Sequence, residues 1–500
     1  MNLTATPHKD LKVSVVAEFS DWNVQETAKL LVERILQKAE KDERDLAYYT
    51  SCRTELARKH SGSYYTPVDV AKFFWNQFFD ASGISDNKSA SEFLRAHRFI
   101  EPACGSGVLV YALFDKLLKL GVSLEVMRDL DLHLIDLNKF ALEYSKRQFS
   151  LINTALGDKY FSPSLEQADF LRYDGLGSGK PTVVFGNPPF VSNSKGATWK
   201  NTFADFLDRC LEEAAPLAAI HFIVPLSLAF SRDYSALRHK MRAKKLKVYA
   251  SHFDNIPDTL FKSGKPQSEN TNKANSQRCT IISAFAAKEH RLFSSKMHRW
   301  CAADRGALLS SRAHFDDVTD YSLGDQFIRP SSTEMAKYLQ STNFKYSLGD
   351  LVQSRGRHYL FIGSVARNYI SVRGEAGSGI QAFAFEDRQT FYKFLGLITS
   401  DVFMEYWRSV GDGFHVTRAN ILDFPVSATL DELAEASVPK IKSMWARRKR
   451  FEKTKQNSGA LVRSYDFSGA VPSFRHVLSL QLTNDQIKMR NNEESIDHIG

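Results

Sequence analysis

Apolar residues recur at helical spacing through residues 24–58, where Ala28, Leu30, Leu31, Ile35 and Leu36 share a face with charges between them. The spacing predicts a helix. Ser61 and Gly62 break it, and Thr66-Pro67 start another, with Thr66 as N-cap and Pro67 at the first helical position. From Arg98 the rhythm changes. Short apolar runs at 99–100, 132–135, 183–185 and 220–224 alternate with helical stretches such as 109–119 and 140–149. That alternation predicts an α/β fold with a doubly wound, mostly parallel sheet. Such sheets bind ligands beyond the carboxyl ends of their strands.

The pattern then fails twice. Residues 262–277, KSGKPQSENTNKANSQ, hold one apolar residue, Ala274, and read as a mobile loop. After about residue 300 the alternation gives way to short strands and turns around SRGRHYLF and GEAGSG. The expected organisation is an N-terminal helical segment (1–60), an α/β domain (61–295), a mixed α+β domain (300–430), and a basic helix over 431–456 leading into a polar, loosely ordered tail (to 500). No internal repeat is visible.

Composition narrows this picture modestly. The 500 residues are 43% apolar and 25% charged, the balance of an ordinary water-soluble protein. A formal net charge of +9 leans towards an anionic partner. Five scattered cysteines form no CxxC pair, so neither a zinc site nor a disulfide framework is suggested, and a reducing cytoplasm fits. No HxxxH or HExxH spacing occurs, and no metal site is expected. No window has the roughly twenty uninterrupted apolar residues of a membrane helix, and the N-terminus has no signal-peptide core.

Four constellations follow strand ends. Residues 99–107 run FIEPACGSG: a strand enters a turn of small residues and a helix follows, so a ligand can approach the backbone closely. The stretch lacks GxGxxG spacing and a phosphate-loop lysine. Glu101 would repel a phosphate and suits hydroxyls or positive charge, although an ordinary tight αβ turn fits the same residues. Next, LHLID ends in Asp136, well placed to accept two ribose hydroxyls; a helix cap is the plain alternative. In Ala168-Asp169-Phe170, a carboxylate stands beside a ring that can stack, as it would in a surface turn. The fourth is VVFGNPPFV. Prolines fix φ and donate no hydrogen bond. Asn187 Oδ1 and the Pro188 carbonyl can thus converge on one planar amino group, with Phe190 stacked on its ring. Positioning and electrostatics would then make a weak amine nucleophilic without a strong base.

In this order YYTP, EPACGSG, LIDLN, ADF and GNPPF resemble the S-adenosylmethionine-dependent amino methyltransferases of DNA. The resemblance is to the NPPF-type N6-adenine enzymes of bacterial restriction–modification systems, in which a recognition region follows the catalytic domain. It covers about residues 61–290. It implies a class I methyltransferase fold, Rossmann-like, with S-adenosyl-L-methionine as cofactor. Tyr65, Thr66 and Pro67 would cover the cofactor. Glu101, Ala103, Gly105 and Gly107 would flank its amino-acid part, although the family usually has Asp where this chain has Glu101. Asp136, with Leu137 beside it, would take the ribose, and Asp169 and Phe170 the adenine. Asn187, Pro188, Pro189 and Phe190 would form the catalytic set.

A base inside a duplex cannot reach such a pocket, so the resemblance implies base flipping on double-stranded DNA. Phe261, followed by Lys262, is the candidate for the flipped base's second face; a core phenylalanine before a loop fits equally. Arg355, Arg357 and His358, with Arg408, His415 and Arg418, are candidates for DNA contact. A basic run from Lys440 to Lys455 could hold backbone phosphates or simply face solvent. Other partners implied are a cognate restriction endonuclease or other defence-system subunits, with no fused nuclease and no membrane. The rival readings are methylation of cytosine N4, RNA or protein glutamine, and a recognition subunit with little turnover.

Overall fold

The computed structural model describes residues 23–50, 66–177, 179–212, 216–255, 257–261, 277–321, 324–341, 343–366, 368–457 and 460–478. Tyr65, Lys262 and all but Gln277 of the loop expected over 262–277 lie outside the described residues. The chain divides into two compact units. One is formed by residues 1–293 and 298–315, the other by 294–297 and 316–500.

The first unit begins with α1 (Val24–Thr50), whose Ala28, Leu31, Val32, Ile35 and Leu36 are buried. Next come α2 (Val68–Ser82) and α3 (Asn87–Ala96), then β1 (Arg98–Glu101), α4 (Val108–Lys119), α5 (Leu124–Arg128) and β2 (Leu132–Asp136). They are followed by α6 (Lys139–Leu156), β3 (Ser164–Gln167), β4 (Thr182–Gly186), α7 (Thr202–Glu212), β5 (Leu217–Pro225) and α8 (Ser235–Ala243). Two strands follow, β6 (Leu246–Phe253) and β7 (Cys279–Ala286), and then β8 (Arg291–His298), whose residues 294–297 are counted with the second unit.

The strand order is β3-β2-β1-β4-β5-β7-β6, continuing into β8. Strands β3, β2, β1, β4 and β5 are parallel. Strand β7 runs antiparallel between β5 and β6. This is the mostly parallel α/β sheet that the strand–helix alternation predicts, with the ends of β1, β2 and β4 at one edge. The central strand β4 is buried at every position, as a strand covered on both faces must be.

Helix α2 covers one row of the sheet. Phe185 on β4, His221 on β5 and Ser283 on β7 are register partners. Trp75 meets Phe185 edge-on at 4.9 Å, and Phe74 stacks on His221 at 3.5 Å. Gln77 donates to Ser283 Oγ at 3.1 Å. Trp75 also donates its indole N–H to Leu109 O at 2.7 Å, which fixes α2 against α4. A buried indole needs such a partner.

One expectation fails at the start of α2. Its N-cap is Pro67, in extended geometry (φ −61°, ψ 150°) and with no side-chain cap bond. Thr66 therefore does not cap the helix. Its hydroxyl is engaged elsewhere, at Asn187.

The second unit holds a five-stranded sheet whose strands, in spatial order, are Ile380–Phe385, His358–Gly363, Val372–Arg373, Ala460–Tyr465 and Glu452–Asn457. A second pair, Phe344–Ser347 and Pro425–Ser427, is antiparallel. The helices Arg388–Ile398, Asp401–Val410 and Ala428–Ala446 contribute Phe394, Phe403, Trp407 and Ile441 to its core.

The basic helix expected over 431–456 is corrected. The helix ends at Ala446, Arg448–Phe451 form a 3₁₀ turn, and Lys453 and Lys455 lie on a strand paired with Ala460–Tyr465. Aromatic packing explains the break, since Trp445, Phe451 and Tyr465 all contact the buried Phe467. The start of the expected loose tail is likewise structured, with Phe474, Val477 and Leu478 in the core.

Candidate active site at the strand ends

Strand β1 delivers Glu101, 1% exposed, to the edge of the sheet. The chain then crosses towards β2, where the Cys104 amide donates to Ile135 O at 3.0 Å. Two glycines make the crossing possible, Gly105 at φ +53° and Gly107 at φ +83°. Gly107 is also the N-cap of α4, and a Cβ there would come within 3.2 Å of the Tyr111 ring. Ala103 and Gly105 are half-buried.

Asp136 organises this turn. Its Oδ2 accepts from the Gly105 amide and its Oδ1 from the Asn138 amide, each at 2.8 Å. Burial lifts the carboxyl above its ordinary value, and the two amides pull the other way. Each carboxylate oxygen keeps acceptor capacity for a further donor. Beside it stand two large apolar side chains in solvent, Leu137 at 70% and Phe140 at 64% exposure. A hydrogen-bonding carboxylate next to exposed apolar surface fits a ligand with vicinal hydroxyls and a flat ring. No motif marks Phe140, although its position four residues beyond Asp136 is a usable signal.

Asp169 and Phe170 are placed differently from one another. Asp169 Oδ1 accepts from the Leu171 amide at 3.0 Å and caps a 3₁₀ turn. Phe170 is 1% exposed and stacks on Phe206 of α7, with centroids 5.2 Å apart.

Strand β4 ends at Gly186, where a Cβ would come within 3.3 Å of Pro102. The turn Asn187-Pro188-Pro189-Phe190 comes immediately after it. Asn187 Nδ2 donates to Thr66 Oγ1 at 3.2 Å, bringing YYTP and NPPF together across 121 positions of sequence. Phe190 is 8% exposed. Its ring meets Phe203 at 6.4 Å and Phe261 at 6.3 Å, both edge-to-face. Phe261 thus lies beside the turn, and its ring stands at 76° to that of Phe190 rather than parallel to it. Pro67 and Pro188 are buried.

A residue that no motif marks completes this edge. Arg305, on the short helix Arg305–Ser310, is 3% exposed. It donates to both carboxylate oxygens of Asp69, at 2.6 and 3.0 Å. It also donates to Thr259 O at 2.8 Å and Leu260 O at 2.9 Å. An arginine in RGALLS carries no sequence signal of its own.

In the second unit Arg355 and Arg357 are exposed on either side of Gly356. A Cβ at Gly356 would come within 2.4 Å of Phe385 O, so the turn requires glycine. Arg357 Nε lies 3.0 Å from Glu386. Arg418 is held down: its guanidinium covers the Phe383 ring at 4.5 Å and donates to Ala382 O at 2.9 Å. His415 Nδ1 lies 2.6 Å from Asp412.

Among the described residues, no group of three or more His, Cys, Asp or Glu could hold a metal ion. No described helix is long and apolar enough to cross a membrane.

No protein-family model matches the sequence, and no curated protein matches it. Solved structures do. The DrdV–DNA complex matches at 13% identity and a TM-score of 0.41, over 68% of this chain and 37% of that one. The type IIL restriction–modification enzyme MmeI, solved with DNA, matches at 13% identity and a TM-score of 0.49, over 87% of this chain and 77% of that one. A type I restriction–modification methyltransferase subunit from Streptococcus thermophilus matches at 16% identity and a TM-score of 0.33, over 50% and 53%. The chain therefore spans only 37% of the DrdV chain and 53% of the Streptococcus subunit. At these identities the likeness carries no residue role to this chain.

Proposed function

We propose that this chain is an S-adenosylmethionine-dependent amino methyltransferase acting on adenine N6 in double-stranded DNA, as the modification component of a restriction–modification or other defence system. One observation carries the reading: Asn187 of NPPF hydrogen-bonds Thr66 of YYTP at the sheet edge where Asp136 and the Gly105 turn also meet. A cofactor turn and an amine-binding turn on adjacent strand ends suit group transfer between two bound molecules.

Bound S-adenosylmethionine supplies a methyl group on a positively charged sulfur. This chain's own residues do the rest. Asp136, with Leu137 beside it, holds the ribose hydroxyls. Glu101, at the end of β1, would accept from the ammonium at the amino-acid end of the cofactor. Thr66 takes the Asn187 amide nitrogen, which turns Oδ1 the other way. Oδ1 and the Pro188 carbonyl would then accept hydrogen bonds from the amine's two N–H groups, drawing its nitrogen towards tetrahedral geometry so that its lone pair would be available for the transferred methyl group. Pro188 and Pro189 hold these acceptors without competing donors. Phe190 supplies a stacking face. Water exclusion by the buried ring cluster strengthens each of these contacts.

The test is incubation with tritiated cofactor and a mixture of DNA, RNA and protein, followed by identification of the labelled group. Label on N6-methyladenine is expected. Label on cytosine N4, RNA or a protein amide keeps the chemistry and removes the adenine assignment. No label anywhere favours a recognition subunit without turnover.

A further inference from the structure

We propose that Arg305 is a positioning residue for the amine pocket, joining its two walls through a single guanidinium. The inference rests on the reading of NPPF as an amine site and deepens it. One wall begins at Thr66, which holds the Asn187 amide. Three residues on, in the first turn of α2, lies Asp69, whose two oxygens take Nε and Nη2 of Arg305. The other wall is the segment ending at Phe261, which lies against Phe190. The two carbonyls preceding Phe261, those of Thr259 and Leu260, take Nη1 and Nη2. Thr66 and Phe261 are thus each within three residues of a group that Arg305 holds.

Only arginine can do this. Its planar fork presents donors in two directions, so it satisfies a bidentate carboxylate on one side and two carbonyls on the other. Lysine has a single nitrogen and cannot span both. The guanidinium is almost wholly buried, so its bonds are shielded from water and hold their geometry. Displacing either wall would move Asn187 or Phe190 relative to the bound amine, and group transfer is steeply sensitive to such shifts.

The experiment uses the full-length protein and the variants Arg305→Lys, Arg305→Ala and Asp69→Asn, the last retaining shape should the others fold poorly. Three readouts are taken: single-turnover methyl transfer to DNA, cofactor affinity by calorimetry, and hydrogen exchange of peptides covering 66–74 and 257–261. The expected result is faster exchange in both peptides and a fall of about tenfold to a hundredfold in transfer rate, with cofactor affinity retained. Lysine should not rescue. Unchanged exchange in either peptide, or an unchanged transfer rate, overturns the proposal. If the wild-type protein methylates nothing, the functional reading fails, and the exchange data alone decide whether Arg305 joins the walls.

Discussion

Asn187 and Thr66, 121 positions apart, share a hydrogen bond of 3.2 Å from the amide nitrogen to the hydroxyl. The bond fixes which way the amide faces, and it removes Thr66 from the capping role its position before Pro67 suggests. Helix α2 tolerates the missing cap because Asp69 sits in its first turn and is anchored by Arg305. The threonine is thus used for orientation rather than for helix stability. Thr66→Val should lower single-turnover methyl transfer about tenfold or more while leaving the melting temperature nearly unchanged. Thr66→Ser should restore most of the rate. A valine variant with full activity would remove the orienting role.

Asn187→Ala should abolish methyl transfer and keep cofactor binding, because in the proposed mechanism the amide acts on the amine as it attacks. Phe190→Ala is different in kind. It forfeits base stacking, on the order of 1–3 kcal/mol, and also packing against Phe203 and Phe261. Capture of the flipped adenine, followed with 2-aminopurine at the target position, should weaken with some turnover left, and the melting temperature should drop. Phe190→Tyr should recover part of both. An Asn187→Ala enzyme working at normal rate would overturn the mechanism.

Much of this edge is legible in the sequence because each motif combines a strand end with residues of restricted backbone freedom. Phe99-Ile100, Leu132 and Val183 are apolar enough to mark β1, β2 and β4, and Gly105, Gly107, Pro188 and Pro189 then fix the turns beyond those strands. The rest depends on pairing between distant segments. Strand β3 is Ser-Leu-Glu-Gln, mostly exposed, and shows no apolar run. Strand β7 inserts antiparallel between β5 and β6, an order that no local pattern encodes. Arg305 is invisible for the same reason, since its partners at 69, 259 and 260 assemble only in the fold. The basic residues after Ala446 suggest a longer helix because charge alone says nothing of the aromatic pairs, Trp445 and Phe451 with Phe467, that end it there.

Asp136 should give cofactor binding a pH dependence. In the proposed site the ribose hydroxyls would donate to the charged carboxylate, so protonation would weaken binding. Burial raises the carboxyl above its ordinary value. Affinity should therefore fall as pH drops through that raised pKa, starting at a higher pH than an exposed aspartate would require. Asp136→Ala should cost about 1–3 kcal/mol of binding and flatten the profile. Calorimetry across pH checks both, and an unchanged profile in the variant would take Asp136 out of the site.

The arginines of the second unit should separate by what their guanidinium groups contact. Arg355 and Arg357 are exposed around the obligatory Gly356. Arg355→Ala and Arg357→Ala should weaken DNA binding, reduce its salt dependence and spare cofactor affinity. Arg418 lies on the buried Phe383 ring and donates to Ala382 O. Arg418→Ala should instead lower stability, by about 0.5–2 kcal/mol for the lost cation–π contact. If Arg355→Ala and Arg357→Ala both methylate the same sites at the same rate, the second unit does not choose sequence through that turn.

Acid should weaken the sheet beneath the site through one buried histidine. His221 on β5 is fully enclosed and its pKa is pulled down to about 3 by burial, while its contacts with Ile282 O and Phe74 O act the other way. A neutral ring satisfies two of its three contacts: Nε2–H donates to Phe74 O at 2.9 Å and Nδ1 accepts from Ser283 Oγ at 3.0 Å, while Ile282 O, 3.1 Å from the same Nδ1, would be met only by a protonated ring. Ser283 in turn accepts from Gln77 of α2 at 3.1 Å. The chain of bonds clamps β5 and β7 to the helix that Thr66 precedes. Above an unfolded-state pKa of about 6.5, neither state holds the proton and His221 adds no pH dependence. Between there and about 3, the unfolded chain binds a proton that the folded chain refuses. Stability then falls with falling pH by up to about 1.4 kcal/mol per unit. His221→Leu removes the hydrogen bonds and should be less stable than wild type at pH 8. It also removes the linked proton, so the gap between the two proteins should narrow steadily as pH falls below 6.5. Urea unfolding, followed by hydrogen exchange of the β5 amides at each pH, measures the gap. A gap that stays constant down to pH 4 would mean that His221 titrates alike in both states, and the buried neutral ring would have to be abandoned.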